Sequence, residues 1–120
     1  MRKAGQFIEA ADLIREFADD NLDEADAYVT LCVHAGIAAA DVICCAALGV
    51  HAKGENHNDA IELLGKVDRE SAKHLAVLLN LKTKSAYSHT PATRDEFKRA
   101  GRAAETLVEK ALRTNVSGAH

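Results

Sequence analysis

The chain has 120 residues, a mass of 12.9 kDa, 48% hydrophobic and 28% charged residues, and a net charge of −3. A chain of this size buries about two-thirds of its unfolded surface, so it forms one domain over 1–120 with its own core, about 5–113, and disorder is excluded as the main state. Only 7 glycines and 1 proline are present, too few for the turns of a β-sandwich or barrel, while Ala, Leu, Glu and Lys dominate and point to an all-α domain.

Five helical segments follow from periodicity and caps. The first is expected at about 5–19, where Phe7, Ile8, Ala11, Ile14 and Phe17 form one apolar stripe widened by Ala10 and Leu13. The second is expected at about 22–49. It opens on the capping-box pair Asn21 and Glu24, carries Tyr28, Leu31, Cys32, Ala35, Ala39, Val42, Ile43 and Ala46 on a broad apolar face, and ends at Gly49. Its alanines and Gly36 let a neighbour approach closely, so it is expected at the centre. A polar loop, 50–57, precedes a short third helix at about 58–66 that buries Ala60, Ile61, Leu64 and Val67. Asp68 caps a fourth helix, about 69–87, on Ala72, Leu75, Leu78, Leu79 and Ala86. Pro91 ends that segment, and Thr93 with Glu96 forms a second capping box for a fifth helix. This last helix, about 94–114, packs on Phe97, Ala100, Ala104, Leu107, Val108, Ala111 and Leu112. Short connections predict an up-and-down antiparallel bundle of four or five helices.

No apolar run reaches the roughly 20 residues that cross a bilayer, and the first residues lack the apolar core of a secretory signal. A cytoplasmic protein without a membrane partner is therefore expected. Cys32, Cys44 and Cys45 are an odd number without a Cys-x-x-Cys pair, which predicts small buried core residues in a reducing compartment. His51, Glu55, His57 and Asp59 meet no metal-ligand spacing, and His74 is expected to be structural. No phosphate-binding glycine loop and no hydrolase triad order are present. No cofactor is expected.

Charge is divided unevenly. Residues 1–65 hold 4 basic and 12 acidic side chains (−8), and residues 66–120 hold 11 basic and 6 acidic (+5). The densest basic stretch is Lys82, Lys84, Arg94, Lys98, Arg99 and Arg102, which suggests a phosphate or RNA site near the 82–102 turn, or else a polar outer face or an internal match to the acidic half. The overall acidity argues against a DNA binder, and 4% aromatic residues leave no stacking platform for single strands. Lys82 continues the Leu75–Leu78 stripe, and His89 lies seven residues further on the same side, so the two would line a polar pocket at one end of the bundle. Lys84, Ser85 and Tyr87 lie beside them. On the second segment, Asp41 sits among apolar neighbours, where a buried carboxylate needs a partner, and Lys82 is a candidate.

The strings His34-Ala-Gly-Ile-Ala-Ala-Ala-Asp41 and Ala47-Leu-Gly49 resemble the HEPN domains (higher eukaryotes and prokaryotes nucleotide-binding). So do His57-Asn-Asp-Ala-Ile-Glu-Leu-Leu64 and Leu81-Lys-Thr-Lys-Ser-Ala-Tyr-Ser88 before a short turn and a last alanine-cored helix. The resemblance spans roughly residues 5–113. It implies a helical bundle that forms a homodimer. Many HEPN domains are metal-independent endoribonucleases, often toxins paired with a nucleotidyltransferase-like antitoxin, and others have lost catalysis and act as binding modules. Active members carry Arg, four to six residues of any type, then His. His89 matches the histidine, whereas lysine stands at the arginine position, at Lys84 or Lys82. In a catalytic member His89 would serve as general acid or base at the ribose 2′-hydroxyl or the leaving 5′-oxygen. Lys84 or Lys82 would stabilise the charged transition state, and Tyr87 and Ser85 would position the backbone. The missing arginine and the acidic charge favour a dimerising binding module with weak or no catalysis, with the endoribonuclease as the alternative.

Overall fold

The computed structural model describes Gln6, Glu9 and residues 25–50, 57–87 and 93–117. Among these residues the protein is an all-α bundle of four helices: α1 (Ala25–Leu48), α2 (His57–Val67), α3 (Arg69–Tyr87) and α4 (Arg94–Ser117). Gln6 and Glu9 are helical and exposed. The rest of the segment expected at 5–19 lies outside the described residues, as does Asn21 with Glu24.

Local chemistry sets the helix boundaries. Gly49 adopts φ 75° and donates its amide to the Cys45 carbonyl at 2.9 Å, closing α1 in a left-handed conformation that strains other residues. Asp68 alone separates α2 from α3. Its amide bonds the Leu64 carbonyl at 2.9 Å, ending α2. Its carboxylate accepts the Ser71 amide at 3.2 Å and the Ser71 hydroxyl at 2.6 Å, starting α3. At α4 the capping box closes in both directions. The Glu96 amide donates to Thr93 Oγ1 at 3.1 Å, and the Thr93 amide donates to Glu96 Oε1 at 2.9 Å.

The long helices pack in a fixed sense. Tyr28 stacks on Phe97 with ring centroids 3.9 Å apart and planes 19° apart, and Gly36 meets Leu107 further along. Both contacts advance in the same chain direction, so α1 and α4 run parallel. Lys84 meets Glu96 at one end of α3, and Asp68, just before α3, meets Lys110 at the other, so α3 is antiparallel to α4 and therefore to α1. The expectation of antiparallel neighbours thus holds for α3 and α4, which are consecutive, while α1 and α4, which are not, run parallel. A short connection dictates direction only for the helices it joins, and no short connection joins α1 to α4.

Small residues set the closeness of that parallel pair. A Cβ on Gly36 would overlap Leu78 Cδ1 and lie 3.3 Å from Leu107 Cδ1, and a Cβ on Gly101 would collide with the Tyr28 hydroxyl. Ala35, Ala39, Ala100, Ala103, Ala104 and Ala111 are buried in the same core with Ile43, Leu75 and Leu107. The core position of the expected second segment is therefore correct, but its buried face is rotated. Val29, Val33, Ala40 and Cys44 are buried, while Leu31 and Val42 are only half-buried and Ala46 is exposed. A helix that is apolar nearly all round has no periodicity sharp enough to choose its inner face, so its packing partners choose it. In α2 only Leu64 is buried, with Ala60, Ile61 and Val67 half-buried, because a short helix on the outside is covered on one side alone.

Three further expectations are corrected. Cys32 and Cys44 are buried, but Cys45 is exposed, because adjacent helical positions point 100° apart. Leu112, expected in the core, is 48% exposed: it follows the buried Ala111 by one residue on a helix with one inner face. The stretch Ala27–Leu48, 22 residues with a mean hydropathy of 2.0, is long and apolar enough to cross a membrane by length and composition. That revises the expectation that no run reaches this length. Here the same stretch supplies Tyr28, Cys32, Ala35, Ala39 and Ile43 to the bundle core.

Candidate functional site

Among the described residues, Lys82, Lys84, Ser85 and Tyr87 lie near the end of α3 that faces the start of α4. Ser85 and Tyr87 lie in the last turn of α3. His89 lies outside the described residues. The two candidate lysines have different fates, and both follow from helix geometry.

Lys84 is already occupied. Its Nζ lies 2.6 Å from Glu96 Oε2 across the α3–α4 joint, and the pair is uneven: the lysine side chain is 46% exposed and the glutamate 10%. Glu96 thereby uses both carboxylate oxygens, one for the Thr93 amide and one for the ammonium. The Lys84 bond, with the Thr93 amide behind it, holds the Glu96 carboxyl below its ordinary range against the opposing effect of burial. Sequence reading identified Glu96 as a capping residue but not as the partner of Lys84.

Lys82 is exposed, although its position continues the buried Leu75–Leu78 stripe. Lys82 follows the buried Leu81 by one position, about 100° round the helix, and its side chain is exposed near the end of α3. Leu81 takes the buried position at this level instead.

The suggested partnership of Asp41 with Lys82 is not made. Gly36 of α1 is level with Leu78 of antiparallel α3. Asp41 is five residues beyond that level in one direction and Lys82 four residues in the other, an axial offset of about 13 Å at the α-helical rise. Asp41 is half-buried and instead acts on Cys44: burial pushes that thiol up from its ordinary value, and the charges of Asp41 and Cys45 add to the effect.

The basic stretch separates into paired and unpaired cations. Arg99 approaches Asp95 at 4.0 Å within α4, and Lys84 holds Glu96. Arg94, Lys98 and Arg102 are exposed and, among the described residues, make no ion pair. Among the described residues no group of three His, Cys, Asp or Glu side chains converges to hold a metal. His57 and His74 are half-buried and His34 is exposed.

No family model matches the chain, and neither a curated protein nor a solved structure matches it.

Proposed function

We propose that the chain is a dimerising helical interaction module of HEPN type in which phosphodiester cleavage is weak or absent. One observation carries this reading. The Lys84 ammonium, the cation separated from His89 by four residues, is bound at 2.6 Å by a nearly buried carboxylate. A transition-state phosphate would have to displace Glu96 from both the ammonium and the helix cap, and a lysine lacks the forked donors with which arginine grips two oxygens at once. Lys82 remains as the exposed cation on which the alternative, a metal-independent endoribonuclease, rests.

Homodimer formation draws support from the apolar side chains left outside the core. Leu48 is 43%, Val50 52% and Leu112 48% exposed, and Leu31, Ile37 and Val42 of α1 are only partly covered. The test of catalysis is incubation of purified protein with total RNA and EDTA at high protein and low salt, beside His89→Ala. No cleavage by the wild type is expected, and cleavage that disappears in His89→Ala would establish the endoribonuclease instead. Light scattering tests the dimer: a mass of one chain at micromolar concentration would refute it.

A further inference from the structure

Three cations of α4 are arranged for a partner. Arg94, Lys98 and Arg102 succeed one another every four residues, so each is displaced from the last by about 6 Å along the axis and all lie on one outward strip of the helix. All three are exposed, and none is paired with a carboxylate among the described residues. The remaining acids and bases of this turn are committed elsewhere, Asp95 to Arg99 and Glu96 to Lys84. The opposite face of the same helix is anchored by Ala100, Ala103, Ala104 and Leu107, so the strip is held on a packed element.

We infer that this strip is a docking ridge for a short acidic helical segment of a partner protein, an inference that rests on the interaction-module reading. A helix with carboxylates at every fourth position repeats at the same step of about 6 Å, so three carboxylates register with the three cations, and the two arginines can each take a carboxylate through two parallel hydrogen bonds. The charge distribution selects a short segment over a nucleic acid. The chain as a whole carries a net charge of −3. A long polyanion meets the field of the whole acidic chain, whereas a short segment confined to the ridge meets chiefly the three cations. The 4% aromatic content also supplies no bases with stacking partners.

The test uses the full chain and three fluorescent probes: an alanine-based helical peptide with glutamate at every fourth position, the same peptide with glutamine, and an oligouridylate RNA. The glutamate peptide is expected to bind, to weaken as salt rises, and to bind at least tenfold more weakly to the Arg94→Ala/Lys98→Ala/Arg102→Ala variant. Arg113→Ala, which removes an exposed cation of the same helix already paired with Glu109, should leave binding unchanged. Circular dichroism and thermal unfolding check that the triple variant is folded. Absence of glutamate-peptide binding, equal binding of the glutamine peptide, or equal binding by the triple variant would overturn the ridge. RNA binding that is tighter than peptide binding and is lost in the triple variant would overturn it in favour of a nucleic-acid site. RNA cleavage by the wild type would refute the interaction-module reading separately, without altering the peptide result.

Discussion

Glu96 joins two jobs that substitution can separate. Its Oε1 accepts the Thr93 amide in the capping box, and its Oε2 accepts the Lys84 ammonium. Glu96→Gln keeps a capping oxygen, because glutamine serves at this position, but loses the charge. Lys84 is 46% exposed, so solvent screens the pair and also rehydrates the released ammonium, and the loss should be about 0.5–1 kcal/mol. Glu96→Ala removes the cap as well, adding about 1 kcal/mol, for a total near 2 kcal/mol or about 8 °C in Tm. Urea unfolding of wild type, Glu96→Gln, Lys84→Met and the double variant isolates the coupling, expected at about 0.5–1 kcal/mol near pH 7. The folded-state carboxyl of Glu96 titrates below its unfolded value, so its contribution is present above the unfolded pKa of about 4.3 and disappears as pH falls through the lower folded value. Wild type and Glu96→Gln should therefore converge in acid. A gap that persists at low pH, or a glutamine variant as stable as wild type at neutral pH, would refute the assignment.

Asp68 follows the same sign. The Ser71 hydroxyl bond, helped by the Ser71 amide and Lys110, holds its carboxyl low, so stability should fall as pH drops below about 4 and Ser71→Ala should shrink that fall. Gly36→Ala should destabilise by about 1–2 kcal/mol despite alanine's better helix propensity, because the new Cβ meets the fully buried Leu78 and Leu107; denaturant midpoints measure it, and an unchanged or raised midpoint would contradict the packing. Leu107→Ala should cost about 2–5 kcal/mol by the same measurement, as expected for a cavity at the α1/α4 contact. Thiol titration of the native protein should modify Cys45 rapidly and Cys44 slowly, since Cys44 is buried and its thiol is pushed up; equal rates would refute that difference.

Among the described residues, the four helices and the ends at Gly49, Asp68 and Thr93 were legible because their causes are local. Asp68 before Ser71 and Thr93 before Glu96 satisfy amides three residues away, and Gly49 supplies the left-handed residue that ends α1, so short strings of residues contain all the chemistry involved. Leu75, Leu78, Ala100 and Leu107 were assigned to the core for the same reason, since each lies on a helix with one clear apolar face. Contacts between helices had no such local cause. The inner face of α1 follows from its partners, because nearly every face is apolar. Lys82 is exposed although it continues the Leu75–Leu78 stripe, because Leu81 takes the buried position at that level. Lys84 and Lys82 look alike in the string Leu81-Lys-Thr-Lys84, yet of the two only Lys84 meets a carboxylate among the described residues, because the packing of α4 on α3 brings Glu96 to its side. Periodicity reports which way a side chain points, whereas a neighbour from a different helix depends on the packing and direction of the whole bundle.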